Sequence, residues 1–579
     1  MKYPNLTELP TTREIVDVFN GYNHNLRIGE GEFYDMTNLS SDNYPVLSPR
    51  SQRGIYTTPR APHGMVAKDA LCYVDGGDFV INEYHIPMEL DEGDEPKTLI
   101  SMGAYVIIMP DKKYITTADY TDFGSIEATF SSTSTVTFQM SKVDGAGYDD
   151  VVVNSTPPSE PQNMDLWIDT SETPHVLKQY SSTTAMWSTI ATTYIKISAS
   201  GIGKPFSVND GVTISGIEDA SLSDLNASMI VWAKGDDYIV VTGIIDSVIS
   251  QDTPITVARK MPNMDFIIES ENRLWGCRYG VALNGDIVNE IYASKLGDFK
   301  NWNCFMGIST DSYAASVGTD GQFTGAITHL GYPLFFKENY VHKIYGNYPA
   351  NYQIQTTACR GVQKGCDRSL AIVNEVLYYK ARSAICAYDG SLPVEMSSAL
   401  GDEVYGNAVA GVLGNKYYIS MKDANEQYHL FVYDTKKSMW HREDDTQAMD
   451  FCNCRGDLYF IDYADNQIKT VRGTGIKETA PIKWNATTGV IGTDSPDKKY
   501  ISRMDVRMSL EVGARVAFYA EYDSSGAWEH LFTMTGTKLG SFAVPIRPKR
   551  CDHMRIKIIG HGDAKIYSIC KTIEQGSDV

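Results

Sequence analysis

An apolar-aromatic strand core recurs along this chain: Leu274-Trp275-Gly276, Leu334-Phe335-Phe336, Leu377-Tyr378-Tyr379, Tyr417-Tyr418-Ile419 and Leu458-Tyr459-Phe460. Counted at the middle residue, the steps are 60, 43, 40 and 41 residues. Three of the four match the roughly 40–45 residues of a four-stranded propeller blade. One such unit cannot bury both of its faces, so the spacing predicts a ring of units around a central channel. A ring is a scaffold, and its chemistry has to be argued from its sites.

The composition agrees. The 579 residues include 36 Tyr and 47 Gly, with abundant Ser and Thr, which favours strands and turns. The single helical signal is short, near Thr12–Phe19. The fold class is therefore all-β. After three of the five aromatic strands comes an acid at a turn: Tyr388-Asp389-Gly390, Tyr433-Asp434-Thr435, and Asp462-Tyr463 with Asp465-Asn466. Short acidic and amide side chains bond their own backbone, so these residues read as hairpin caps. The competing reading is a ring of carboxylates doing acid-base work.

The rhythm divides the chain. Residues 1–119 hold an N-terminal arm and the first blades, with strands at Leu71-Cys72-Tyr73-Val74 and Ala104–Met109. Residues 120–257 break the spacing and read as small β-domains inserted on a surface loop. Thr129–Met140 reads as a Ser/Thr-rich strand pair there, and Thr156-Pro-Pro-Ser-Glu-Pro161 as a linker. Residues 258–476 resume the repeat. One propeller of six or seven blades is expected from Leu39 to Gly473. Residues 477–579 are a linker and a separate C-terminal β-sandwich, Lys499–Ile573, with Thr479–Asp497 reading as a linker or a crossing strand. Trp167, Tyr180 and Trp187 in the insert are candidate carbohydrate-stacking residues; the alternative is that they form the core of a tiny domain, which needs large side chains.

The formal net charge is −21, so the chain as a whole does not grip nucleic acid by its phosphates. From Arg547 to Lys571 the balance reverses, with seven Lys/Arg against Asp552 and Asp563. Arg547, Lys549, Arg550, Arg555 and Lys557 are candidate protein-interface residues; the alternative is the solvated face of a sandwich. Ten Cys lie in no regular framework and read as reduced thiols in a protein made in the cytoplasm. Cys551, His553 and His561 lack the paired spacing of a zinc site, so no metal or cofactor is expected. Met1–Pro10 has no apolar core behind a basic start, and the most apolar stretches are too short to span a bilayer as helices. No GxSxG, P-loop, HExxH or dinucleotide fingerprint appears, and no catalytic residue is assigned.

Asn20-Gly-Tyr-Asn23 with Glu32, Asn38-Leu39-Ser40-Ser41 and Tyr44-Pro-Val-Leu-Ser-Pro-Arg50 resembles the start of propeller proteins of tailed bacteriophages and prophages of gut Firmicutes. Ala293-Ser-Lys-Leu-Gly-Asp298 with Asn301-Trp302, Phe336-Lys-Glu-Asn339, Asp165-Leu-Trp-Ile-Asp-Thr170, Tyr567-Ser-Ile569 and Ile573-Glu-Gln-Gly-Ser577 resemble the same group. The architectural analogue is the tail nozzle protein of short-tailed phages. The resemblance implies a non-enzymatic, ring-forming tail or neck component of the virion, made in the host cytoplasm. Its partners would be copies of itself, other tail proteins, and double-stranded DNA passing non-specifically. A receptor- or carbohydrate-binding tail protein, or a virion glycosidase or depolymerase, are the alternatives.

Overall fold

The computed structural model describes residues 11–575 except 94, 283, 284, 495 and 537; the Met1–Pro10 opening and the Gly576-Ser577 end of the C-terminal motif lie outside the described residues. The described residues form strands and four short 3-10 turns, so the all-β expectation holds. Seven antiparallel sheets follow one another along the chain, built on residues 62–87, 98–125, 266–316, 323–358, 371–395, 406–442 and 448–470; these are numbered sheets 1 to 7. Each aromatic recurrence is the second strand of its sheet: Arg273–Val281, Tyr332–Lys337, Val376–Lys380, Lys416–Lys422 and Asp457–Asp462. Such a strand is covered on both faces, which is why it reads as a continuous apolar run and not as an alternation. Leu71–Asp75 and Tyr105–Met109 hold the same place in sheets 1 and 2. The 60-residue step has a local cause. In sheet 3, Ile287–Ala293 and Tyr313–Ser316 are joined by a long excursion that drives Phe299 and Trp302 into the core beside Ile107 and Leu274.

The sheets are arranged cyclically. The first strands Pro62–Ala67, Thr98–Met102, Phe266–Ser270 and Phe323–His329 touch in sequence. The 3-10 turn Asp367–Ser369 carries the series to Gly406–Leu413, which lies against Ala448–Cys454, which returns to Pro62–Ala67. Gly54–Thr57 precedes sheet 1 in the chain but pairs with Gln467–Thr470, so a strand from before the first sheet becomes part of the last. Among the described residues no individual sheet closes on itself.

The C-terminal residues do not form a sandwich by themselves. Thr11–Val16 runs antiparallel to Ala564–Gln575, with Thr11 opposite Glu574 and Val16 opposite Ile569. The helix expected near Thr12–Phe19 is therefore a strand over Thr11–Val16: a distant strand edge supplies backbone partners that a short isolated helix lacks. Glu32–Thr37 pairs with Lys483–Thr488, which pairs with Met554–His561, placing the expected linker inside the second layer. That layer continues through Gly21–Tyr22 and Met439–Arg442 into sheet 6, making one ten-stranded sheet.

Residues 128–259 form the insert between sheets 2 and 3. Thr129–Met140 is not one strand pair: Ala128–Ser131 pairs with Thr256–Arg259, while Val136–Ser141 pairs with Tyr194–Ser198 in the facing sheet. Val136, Phe138, Ile197, Val212, Val241 and Val257 fill the space between them. The insert is fastened to sheet 3 by Asn301, which donates to Asp210 Oδ1 at 3.0 Å and accepts from the Gly211 N–H at 2.9 Å; within the insert Asp210 is held by a buried ion pair with Arg259.

Candidate functional site

At the centre of the cycle the first strands begin around a cavity of about 760 Å³. Six of the seven sheets contribute to it through Met65, Leu99, Phe266, Ala326, Asn407 and Asp450, and the 3-10 turn ahead of sheet 5 adds Asp367 and Arg368. This is the size of a small-molecule site. Its polar residues are Glu95, Lys97, Thr98, Asp265, Asp367, Arg368, Asn407 and Asp450. Arg368 bridges the walls: one nitrogen donates to the Lys97 carbonyl at 2.9 Å and another lies 3.6 Å from Asp450 Oδ2. Asp450 also accepts from the Met65 N–H at 2.9 Å. Lys97 is held 2.7 Å from Asp111, both buried. Asp265 accepts from the Tyr279 N–H at 2.8 Å and is exposed to the cavity.

Burial raises the carboxyls of Asp367 and Asp450 above their ordinary range, outweighing the opposing pull of Arg368 on each and the N–H bonds to Asp450. The cavity therefore offers protonatable acids and one fixed guanidinium to a polar ligand. Sequence reasoning missed this cluster, but its signal was present. Asp265, Asp367 and Asp450 stand ten, eleven and nine residues before Trp275, Tyr378 and Tyr459, and Lys97 stands ten before Ile107. The aromatic repeat thus indexes a ring of axial positions one strand upstream.

The turn acids do what hairpin caps do. Asp389, Asp434, Asp462 and Asp465 each accept the N–H of the residue two places on, at 3.0 to 3.1 Å. In the insert, Trp167, Tyr180 and Trp187 meet one another on the hairpin Leu166–Ser181 and its partner Met186–Thr189, with Trp187 5.4 Å from Trp167 and 5.3 Å from Tyr180. Trp167 is 5% exposed, its indole N–H donates to the Asn154 carbonyl at 2.9 Å, and the Lys178 ammonium covers its ring at 5.1 Å. Its face is used within the chain, as a small core requires; Tyr180 and Trp187 are half-buried.

The basic residues 547–557 are brought together, but much of their charge is engaged locally. Arg547, Lys549 and Arg550 are exposed on the segment before Met554–His561. Lys549 pairs with Glu529 and lies over Tyr522. On the strand itself Arg555 stacks on Tyr34 at 5.1 Å and Lys557 on Trp528 at 4.8 Å. Among the described residues no group of His, Cys, Asp and Glu is placed to hold a metal ion, and no helix is long and apolar enough to cross a membrane.

No protein-family model and no curated protein matches the sequence. Among solved structures the chain is similar to an exo-β-1,3-galactanase from Phanerochaete chrysosporium, at 8% identity and TM-score 0.21, over 53% of this chain and 94% of that one. It is also similar to Raptor of Chaetomium thermophilum, at 8% identity and TM-score 0.29, over 74% and 30%. A Trypanosoma rangeli sialidase is similar at 8% identity and TM-score 0.21, over 97% of each chain. Scores this low carry no argument about fold or activity.

Proposed function

We propose that the seven sheets are the blades of one β-propeller and that the protein is a non-enzymatic, ring-forming tail or neck component of a bacteriophage virion, of the nozzle type. The observation that carries this reading is the ten-stranded sheet that runs from the C-terminal layer into sheet 6. A backbone-bonded continuum lets two bodies bear force as one, and Asn301, bonded to Asp210 and to the Gly211 N–H, ties the insert to sheet 3. The resemblance of the N-terminal and blade motifs to phage propeller proteins supplies the setting. The axial cavity is of small-molecule size and is bridged by Arg368, so a DNA conduit would lie between copies and not through one propeller. The net charge of −21 suits a surface past which DNA slides, and the basic residues 547–557 would face a protein neighbour. The test is mass spectrometry of purified virions together with electron microscopy of the purified chain. The chain should appear among virion proteins and the purified protein should form closed rings; absence from virions and a persistent monomer would refute the reading.

The raised carboxyls of Asp367 and Asp450 favour a second reading, an axial glycosidase, since such enzymes need one protonated acid. Release of reducing sugar from host capsule, abolished by Asp450→Asn, would select it over the first.

A further inference from the structure

The axial cavity opens where the first strands begin. At the end where they finish, the molecule carries a different feature. The turn after Gly406–Leu413, the turn before Met439–Arg442 and residues 42–51 enclose a groove of about 690 Å³. A second stretch of about 550 Å³ shares Asp42, Arg50, Ser51 and Arg472 with it and runs on along the C-terminal layer. Arg50, Lys416, Lys436, Lys437 and Arg472 line the first part, and Lys477 and Lys565 the second, against Asp42, Asp434, Glu443 and Asp563. Part of this charge is matched: Lys416 lies 2.6 Å from Asp42 and Lys437 3.4 Å from Asp434. Lys436, Arg472 and Lys477 are exposed at its edge. On a chain of net charge −21 this groove therefore carries a local excess of cations.

The complementary feature is on the opposite face. Between Tyr84–Pro87 and Thr98–Met102, residues 89–95 read Glu-Leu-Asp-Glu-Gly-Asp-Glu, with five acids in seven positions. Glu89, Asp91, Glu92 and Glu95 are exposed, and Glu95 stands at the axial cavity. The segment leads into the start of a first strand, whereas the groove lies beyond the end of one. A partner that fills the groove of one molecule with the acidic loop of another therefore approaches head to tail.

We propose that the groove is the docking site for the acidic loop 89–95 of a second copy of this chain. The contact is heterologous: each copy uses one surface to receive and the other to insert, so copies add in series until the rotation closes. Opposite charges align the two surfaces and reject the like-charged alternatives of groove on groove or loop on loop. The inference deepens the ring-forming reading, on which only closure of the series depends; the contact itself does not depend on the phage setting.

The test uses the purified full chain in sedimentation velocity at low and high salt. The wild type should sediment as an oligomer at low salt and fall toward monomer as salt screens the contact. The groove reversal K436E/R472E/K477E and the loop reversal D91K/E92K/E95K should each weaken self-association by more than about tenfold, because like charges now meet. Their thermal transitions should stay at the wild-type temperature, since exposed charges contribute little to folding. Mixed in equal amounts the two variants should recover the wild-type mass, because acidic groove then meets basic loop and the two unaltered surfaces meet each other. A milder pair, Lys436→Gln with Lys477→Gln, should lower the salt concentration at which the oligomer dissociates, and it serves if a reversal fails to fold. A monomeric wild type at low salt, reversals that keep the wild-type mass, or a mixture that stays monomeric would each overturn the proposal. Presence or absence of the chain in virions bears on the phage reading alone.

Discussion

His342 shows how one residue couples this fold to pH. Its ring is buried, with one nitrogen 3.0 Å from Thr319 Oγ1 and the other 2.9 Å from Thr356 Oγ1. Burial, with the nearby Lys337 ammonium adding to it, lowers its titration to about 4. An unfolded imidazole titrates near 6.5, so between those values the unfolded chain takes up a proton that the folded chain refuses. Stability from this residue is complete above about 6.5 and declines as pH falls toward 4, by on the order of 3 kcal/mol. His342→Gln keeps both hydrogen-bonding ends without the charge. Its urea midpoint should fall less than that of wild type between neutral pH and pH near 4.5, and an equal fall would contradict the assignment. Asp367 works with the opposite sign. Its raised carboxyl keeps a proton that the unfolded chain has already lost, so ionisation costs stability as pH rises just above the ordinary carboxylate range. Asp367→Asn should therefore gain on wild type as pH rises through that range, measured by the same denaturation series.

Among the elements, Lys483–Thr488 is the one on which the two bodies depend, because it lies between an N-terminal strand and a C-terminal one. Trp484 is 2% exposed and sits opposite Gly560 in the register. A Cβ on Gly560 would lie 1.8 Å from the indole, so glycine there makes room for the ring. The indole N–H donates to the Gly562 carbonyl at 3.0 Å. Trp484→Ala should cost about 3–5 kcal/mol by emptying that space. Chemical denaturation should show the loss, with a transition that remains single if the ten-stranded sheet makes the bodies unfold together.

For the molecule as a whole, the insert is an addition to a scaffold that closes without it. Glu127 accepts from the Met261 N–H at 3.1 Å and lies 3.6 Å from the Lys260 ammonium, so the two ends of the insert stand side by side. Ile126 and Met261, just outside it, are buried in the core shared by sheets 2 and 3. Replacing residues 128–259 by a short Gly-Ser linker should leave a soluble chain with the circular-dichroism signature and cooperative melting of the parent. The excision also removes both partners of the Asp210–Arg259 pair, so no unpaired buried charge remains. Aggregation of the excised chain would show that the insert is part of the scaffold's own core.

The sequence by itself determined what short-range physics determines. Tyr, Gly and the aromatic runs dictated strands, the repeat spacing marked the second strand of successive sheets, and Asp389 and Asp434 were legible as turn caps because a side chain bonding two residues ahead needs no distant partner. The axial acids were half legible: their offset from Trp275, Tyr378 and Tyr459 is periodic, but that those positions face one cavity follows only from the cyclic packing of first strands. The rest belonged to the tertiary structure alone. Thr11–Val16 becomes a strand because Cys570 and its neighbours, more than 500 residues away, offer it an edge. Gly54–Thr57 joins the last sheet and not the first, and Trp167 buries its ring within the chain. Pairing across such separations depends on which edges are left unfilled once the sheets have packed, and no local pattern in either partner records that.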